Sequence, residues 1–500
     1  MALSNDVVRV IKQHKRFIII YLNILAVIFL LYALFAPAFL NNLPAVELPG
    51  IFIQMGASIF VSSWMLVYPF LGRIKSTLSK PIKFIIVAML IQIGITIITD
   101  LLGFYPGKAN FDTDYRYGEQ YFNFLFLNPE RKEFLELYPN SAYYPPGCSI
   151  FFVLLYIINP WESVLFYRIF MMFFKFGMYY VILKIFNLKK LNLKKNSMTN
   201  GLFYFTFSGI ELFFLLFYQK FDFFMIFISM VGIYYLIKEK WLLASIFLVY
   251  TGFFKIYSFL WLGGVLLVFL KKRDFKRFKK LLFGLIISGT AFLGIFLIME
   301  GFTFIKNLLE FGWHFTIWEE VYNVNWSYFL KFLNIPFMNY LPPILIVIVF
   351  FIYIFKYAKQ VDFALFINIT IIILLFYPSI SYHYLIWIIP LISVNFMSYA
   401  GGYRRATFVL EIIHVNLDYH TMLWTLIWGY QDVLQMHAIP AYTPEIVRRL
   451  TEALLIRIIA IIPMIIGLFL YMTPHSNSIP FYQNYELEDD QNKDSKIISR

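Results

Sequence analysis

WLLASIFLVYTGFFKIYSFLWLGGVLLVFL, running from Trp241 to Leu270, carries one charge, Lys255, in an otherwise apolar run. A soluble core rarely needs so long an apolar run, whereas a spanning helix needs about 20 such residues to cross about 30 Å of hydrocarbon. Comparable segments recur from residue 17 to residue 472, so one membrane domain takes up nearly the whole chain. Composition points the same way. Of 500 residues 60% are hydrophobic and 14% charged, with 59 Phe and 36 Tyr, more apolar material than a soluble domain of this length can bury. The expected fold class is all-α: a polytopic transmembrane helical bundle of about 11 to 13 spans.

The net charge of +13 does not mark a nucleic-acid binder, because the cations sit in short clusters between apolar runs. Arg9, Lys12, Lys15 and Arg16 precede the first apolar stretch and place the N-terminus in the cytoplasm. No small-residue cleavage site follows, so the first helix is expected to be retained. Further basic clusters at 73–83, 189–195, 238–240, 271–280, 356–359 and 404–405 read as cytoplasmic. That leaves the polar stretch 105–144, residues 219–222, Lys255, residues 300–338 and His383 near the outer face. The segment 147–158 is too short to span and reads as a re-entrant or juxtamembrane helix. The organisation is then two N-terminal helices in 1–83, a core in 84–395, further helices in 396–472 and a disordered polar tail over 473–500. Such a chain belongs in the plasma membrane of a prokaryote or the endoplasmic reticulum of a eukaryote. Its single cysteine, Cys148, forms no internal disulfide and no thiolate metal site.

Several features on that outer face carry chemistry. Asp112-Thr113-Asp114-Tyr115-Arg116-Tyr117 opens the long polar stretch, putting two carboxylates and a guanidinium at the membrane surface. A carboxylate there could act as general base toward a hydroxyl; alternatively, the pair is simply solvated. Asp112 and Asp114 could also hold Mg or Mn through hard oxygen ligands. The Tyr143-Tyr144-Pro145-Pro146 element stiffens the entry to the next helix. Lys255 stands at the turn of a broken hairpin, where it either meets a lipid phosphate or snorkels to the interface. In the 311–328 stretch, His314, Asn325 and Trp326 interleave aromatic faces with hydrogen-bonding groups, which suits a sugar or a plain interfacial belt. His383 begins an apolar helix and is either a phosphate or sugar ligand or a satisfied interfacial residue. The embedded Arg168 and Lys175 are as well explained by ion pairing between helices as by chemistry. Neither a phosphate-binding nor a dinucleotide glycine motif is visible, which argues against a soluble nucleotide donor.

In order and sidedness these elements resemble those of the C-superfamily (GT-C) membrane glycosyltransferases that use polyprenyl-phosphate sugars, including glycosylphosphatidylinositol and actinobacterial mannosyltransferases. Asp112 to Tyr115 resembles the family's Asp-x-Asp-Tyr element, and Tyr143 to Pro146 its Tyr-Pro-Pro. Phe254 to Tyr257 resembles Phe-Lys-Ile-Tyr-Pro, with Ser258 in place of proline. Asn325 to Ser327 and Tyr382 to Pro390 resemble two later elements. The likeness covers roughly residues 84 to 395; the two preceding helices, the loosely echoed Gln219 to Asp222 and everything after residue 400 depart from it.

The resemblance implies transfer of a sugar, mannose by preference, from a polyprenyl- or dolichyl-phosphate donor to a lipid or glycan acceptor, by inverting single displacement. It makes Asp114 or Asp112 the catalytic base, Lys255, Arg116 and His383 the donor-phosphate ligands, and Tyr115, Tyr144, Gln219, Asp222, His314, Asn325 and Trp326 substrate contacts. The relatives mostly work without a nucleotide, and several need no metal. The extra N-terminal helices leave room for an accessory subunit. A transporter or flippase of a lipid-linked sugar is the competing class. It would commonly show internal repeats, which this sequence does not.

Overall fold

A computed structural model of the chain describes residues 81–101, 108–126, 146–188, 220–300, 340–377 and 382–398, with the short pieces 191, 201–202, 205–206, 465, 472, 475 and 478–482. The expectations for the two N-terminal helices, for 300–338 and for most of 396–472 lie outside the described residues. So do those for Tyr144, Gln219, His314, Asn325 and Trp326.

The described residues are helical throughout, apart from turns and one isolated antiparallel bridge between Asp362 and Pro480. The chain forms α1 (Pro81–Leu101), α2 (Lys108–Phe126), α3 (Pro146–Ile158) and α4 (Val164–Phe186). Next come α5 (Asp222–Ile237), α6 (Trp241–Gly252), α7 (Tyr257–Lys271) and α8 (Phe275–Glu300). After residue 340 follow α9 (Leu341–Ile352) with a π turn (Tyr353–Tyr357), α10 (Phe363–Phe376), a 3-10 helix (Tyr382–Trp387) and α11 (Ile389–Ser398).

Among the described residues three helices, α1, α4 and α8, are long and apolar enough to cross a membrane. Two of them also carry bare apolar faces: Ile82, Ile86 and Leu90 on α1, and Phe283, Ile286 and Ile298 on α8, are all at least half exposed. Water would not tolerate that much contiguous hydrocarbon, and lipid would. α5, α6, α7, α9 and α10 are apolar but shorter. α10 is buried on every side from Phe363 to Leu375, the burial that an all-round apolar sequence demands.

From α5 to α8 the chain reverses at each turn, which sorts residues to two ends. The turns after α5 and α7 close alike. Glu239 and Arg273 adopt left-handed φ of 59° and 58°, while the amides of Lys240 and Asp274 reach back to the carbonyls of Tyr235 and Phe269 at 3.0 and 2.9 Å. This end collects cations. Lys271 Nζ donates to the carbonyls of Ile354, Phe355 and Ala358 at 2.7–3.0 Å, drawing the end of α9 alongside. The opposite end holds the start of α5, the turn 253–256, the start of α3 and the 3-10 helix.

Two expectations change. The polar stretch 105–144, read as a loop, carries α2. One face of it, Asp114, Tyr115, Gly118 and Tyr121, is buried, while Arg116 and Glu119 are exposed, so the helix is amphipathic rather than apolar and escapes a hydropathy reading. A Cβ on Gly118 would run into the carbonyl of Phe152, so glycine is what allows α2 to lie directly on α3. The tail, read as disordered from residue 473, is packed at 475 and 478–482. His475 Nδ1 lies 2.9 Å from Asp362 Oδ2 and its Nε2 lies 2.8 Å from Tyr353 Oη. Phe481 is buried between Phe363 and Phe366, and Tyr482 Oη donates to the carbonyl of Leu236 at 2.8 Å. Aromatic burial and satisfied polar groups outweigh the low hydropathy of this segment.

Candidate functional site

Asp114 lies on the buried face of α2, and Tyr167, entirely buried in α4, donates its hydroxyl to Asp114 Oδ2 at 2.6 Å. Burial pushes the Asp114 carboxyl up to about 7, against the opposing pull of the Tyr167 hydroxyl and the Lys220 ammonium; Asp222 pushes the same way as burial. Asp114 thus stands within electrostatic reach of both Lys220 and Asp222.

Lys220 precedes α5, and Asp222 is its first residue, fully buried. Asp222 Oδ1 accepts the indole N–H of Trp387 at 2.8 Å. Trp387 closes the 3-10 helix and stacks on Tyr384 with ring centroids 4.5 Å apart. Tyr384 Oη in turn accepts a hydrogen bond from Lys255 Nζ at 2.8 Å, and the same ammonium lies 4.2 Å from the Tyr384 ring centroid. A desolvated cation so placed gains both a hydrogen bond and ring attraction. Lys255 also interacts electrostatically with Asp222 and Lys220.

The turn carrying Lys255 is tightly held. Its amide donates to Thr251 O at 3.0 Å, Thr251 Oγ1 donates to Ser258 Oγ at 2.9 Å, and the Gly147 amide donates to Phe253 O at 3.3 Å. A Cβ on Gly147 would press on Phe253 and Phe254, so the start of α3 can abut the turn only as glycine. Phe221 bridges the two halves of the site: its ring lies 5.3 Å from that of Phe152 and 6.0 Å from Lys255 Nζ.

One end of the bundle therefore gathers two carboxyl groups, two ammonium groups and an aromatic wall from α2, α4, the start of α5, the α6–α7 turn and the 3-10 helix. Chemically, such a site can accept a proton at Asp114, hold an anion at Lys220 and Lys255, and stack a ring face on Tyr384 or Trp387. Among the described residues no three of His, Cys, Asp and Glu gather as a metal set.

Of the residues singled out from sequence, Asp114, Asp222 and Lys255 come together here. Arg116 does not: it is exposed, two positions and about 200° around α2 from Asp114. Tyr115 is buried against Tyr156 with ring centroids 5.3 Å apart, a packing contact. Asp112 lies in α2 and His383 in the 3-10 helix, and their side chains lie outside the described residues. Arg168 pairs with Asp100 of α1 at 3.1 Å, and Lys175 lies 5.3 Å from the Phe205 ring centroid, so both belong to interhelical packing. Sequence reasoning passed over Tyr167, Lys220, Tyr384 and Trp387 as individual site members. Lys220 had a signal, since it too is a cation flanked by apolar runs. The other three had none, being aromatics in a chain full of them.

No protein-family model matches the sequence, and no curated protein matches it either.

Proposed function

We propose that this chain is a polytopic membrane glycosyltransferase of the GT-C type that moves a sugar from a polyprenyl-phosphate donor to a lipid or glycan acceptor. The observation that carries this reading is the meeting of Asp114 with Lys220, Asp222 and Lys255 at one end of the bundle. In an inverting displacement a base removes the acceptor's proton while the lipid phosphate leaves with growing negative charge. Asp114, its carboxyl near neutrality, is the base; Lys255 and Lys220 hold the departing phosphate; and Tyr384 and Trp387 offer stacking faces to the sugar. The reading supports an outward-facing site, because the cation-rich end of the bundle belongs in the cytoplasm.

The test is to give membranes containing the full chain labelled polyprenyl-phosphomannose and analyse the products. A new glycoside is expected. Unaltered donor appearing across the bilayer would instead favour a transporter. Asp114→Asn should abolish the product at normal expression, and full retained transfer would refute the base assignment. Because a base works only when ionised, the wild-type rate should fall as pH drops through about 7.

A further inference from the structure

α8 is 26 residues long, about 39 Å at 1.5 Å per residue; within its candidate span Phe275–Ile298, the uncharged part, residues 281–298, already accounts for about 27 Å of a slab about 30 Å thick. Its first two turns therefore extend to headgroup depth, at the cation-rich end of the bundle. Those turns read Phe275-Lys276-Arg277-Phe278-Lys279-Lys280. At 100° per residue Lys276, Lys279 and Lys280 fall within the same sector of about 120° as Phe283, Ile286 and Ile287. All three lysines are exposed, and the three apolar residues are 40–65% exposed. The lysines thus continue the bare apolar stripe rather than facing protein or an aqueous cleft.

Their placement is unfavourable within the chain itself. Cations in the first turns oppose the helix dipole, and no acidic residue stands in the first turn. Among the described residues the nearby carboxylates, Asp274 and Glu239, both pair with Arg277, at 2.6 and 3.8 Å. Lys272 and Arg273, also exposed, add to the excess at the preceding turn. Phe275, 52% exposed beside them, suits the boundary between headgroups and acyl chains. What complements a cationic patch on a lipid-facing stripe at this depth is a layer of anionic headgroups.

We propose that the first two turns of α8, with Lys272 and Arg273, are a binding surface for anionic phospholipid headgroups. The inference rests on α8 crossing a bilayer and is independent of the chemistry at the other end. The full chain is reconstituted in phosphatidylcholine vesicles with and without phosphatidylglycerol, and its thermal midpoint is followed by tryptophan fluorescence. Phosphatidylglycerol is expected to raise the midpoint, and high salt to erase the rise. The variant combining Lys276→Gln, Lys279→Gln and Lys280→Gln should keep its midpoint in phosphatidylcholine and lose the rise; Lys279→Gln alone should lose part of it. Equal wild-type midpoints in the two lipids, a rise retained in both variants, or the same rise from inorganic phosphate in pure phosphatidylcholine would each overturn the proposal. A chain that fails to enter phosphatidylcholine vesicles would overturn the bilayer placement itself, a different result from insertion without lipid preference.

Discussion

The hydroxyl of Tyr167 and the carboxyl of Asp114 meet at 2.6 Å, and the pair shows how one contact tunes a buried acid. Burial raises the carboxyl toward neutrality, and the hydroxyl, by bonding the ionised form, holds it lower than burial alone would. Tyr167→Phe removes that restraint while keeping the ring in place. The pH at which the transfer rate falls away on acidification should therefore move upward, with activity lost near neutrality and regained in alkaline buffer; an unchanged pH–rate profile would show that the hydroxyl does not act on Asp114. The acidic pair was legible in the sequence as a motif, but not which member is buried beside a tyrosine hydroxyl. Lys255 was legible because a single cation in a long apolar run has few explanations. Its partner Tyr384 was not, since nothing local distinguishes one tyrosine from the 35 others among the 36 of the chain.

The helices themselves show where hydropathy suffices and where it fails. α1, α4 and α8 can be found in a sliding window because their apolar residues are contiguous. α2 cannot, because its information lies in spacing: one face meets α3 and α4 and the other does not. At Gly118 the backbone of α2 lies directly against that of α3. Gly118→Ala improves helix propensity by about 1 kcal/mol, but its Cβ would overlap the backbone carbonyl of Phe152, and relieving such overpacking typically costs about 1–3 kcal/mol. The steric term should win, lowering the thermal midpoint and disturbing Asp114 one turn away. A stabilised variant would mean that α2 and α3 stand further apart than this.

Among the described residues, Asp114, Lys220, Asp222 and Lys255 gather at one end of the bundle and the exposed basic clusters at the other, and residues 475 and 478–482 tie down the exposed basic end. His475 links Asp362, the residue capping α10 through the Leu365 amide at 2.9 Å, to Tyr353 in the π turn after α9, and Asn368 Nδ2 donates to the same tyrosine at 3.0 Å. His475→Phe keeps a ring but strips hydrogen-bond partners from a buried carboxylate and a buried hydroxyl. A loss of about 1–3 kcal/mol is expected, read as a lower melting temperature of the full chain; an unchanged temperature would show that this segment does not brace the bundle. What the sequence by itself determined is the helical class and the long apolar helices: hydropathy sums over some twenty neighbours and needs no knowledge of the fold. Only the tertiary structure decided which polar groups meet. Asp114 finds Tyr167 53 residues away and Asp222 finds Trp387 165 residues away. Such meetings depend on the relative register and rotation of packed helices, which no local window of residues contains.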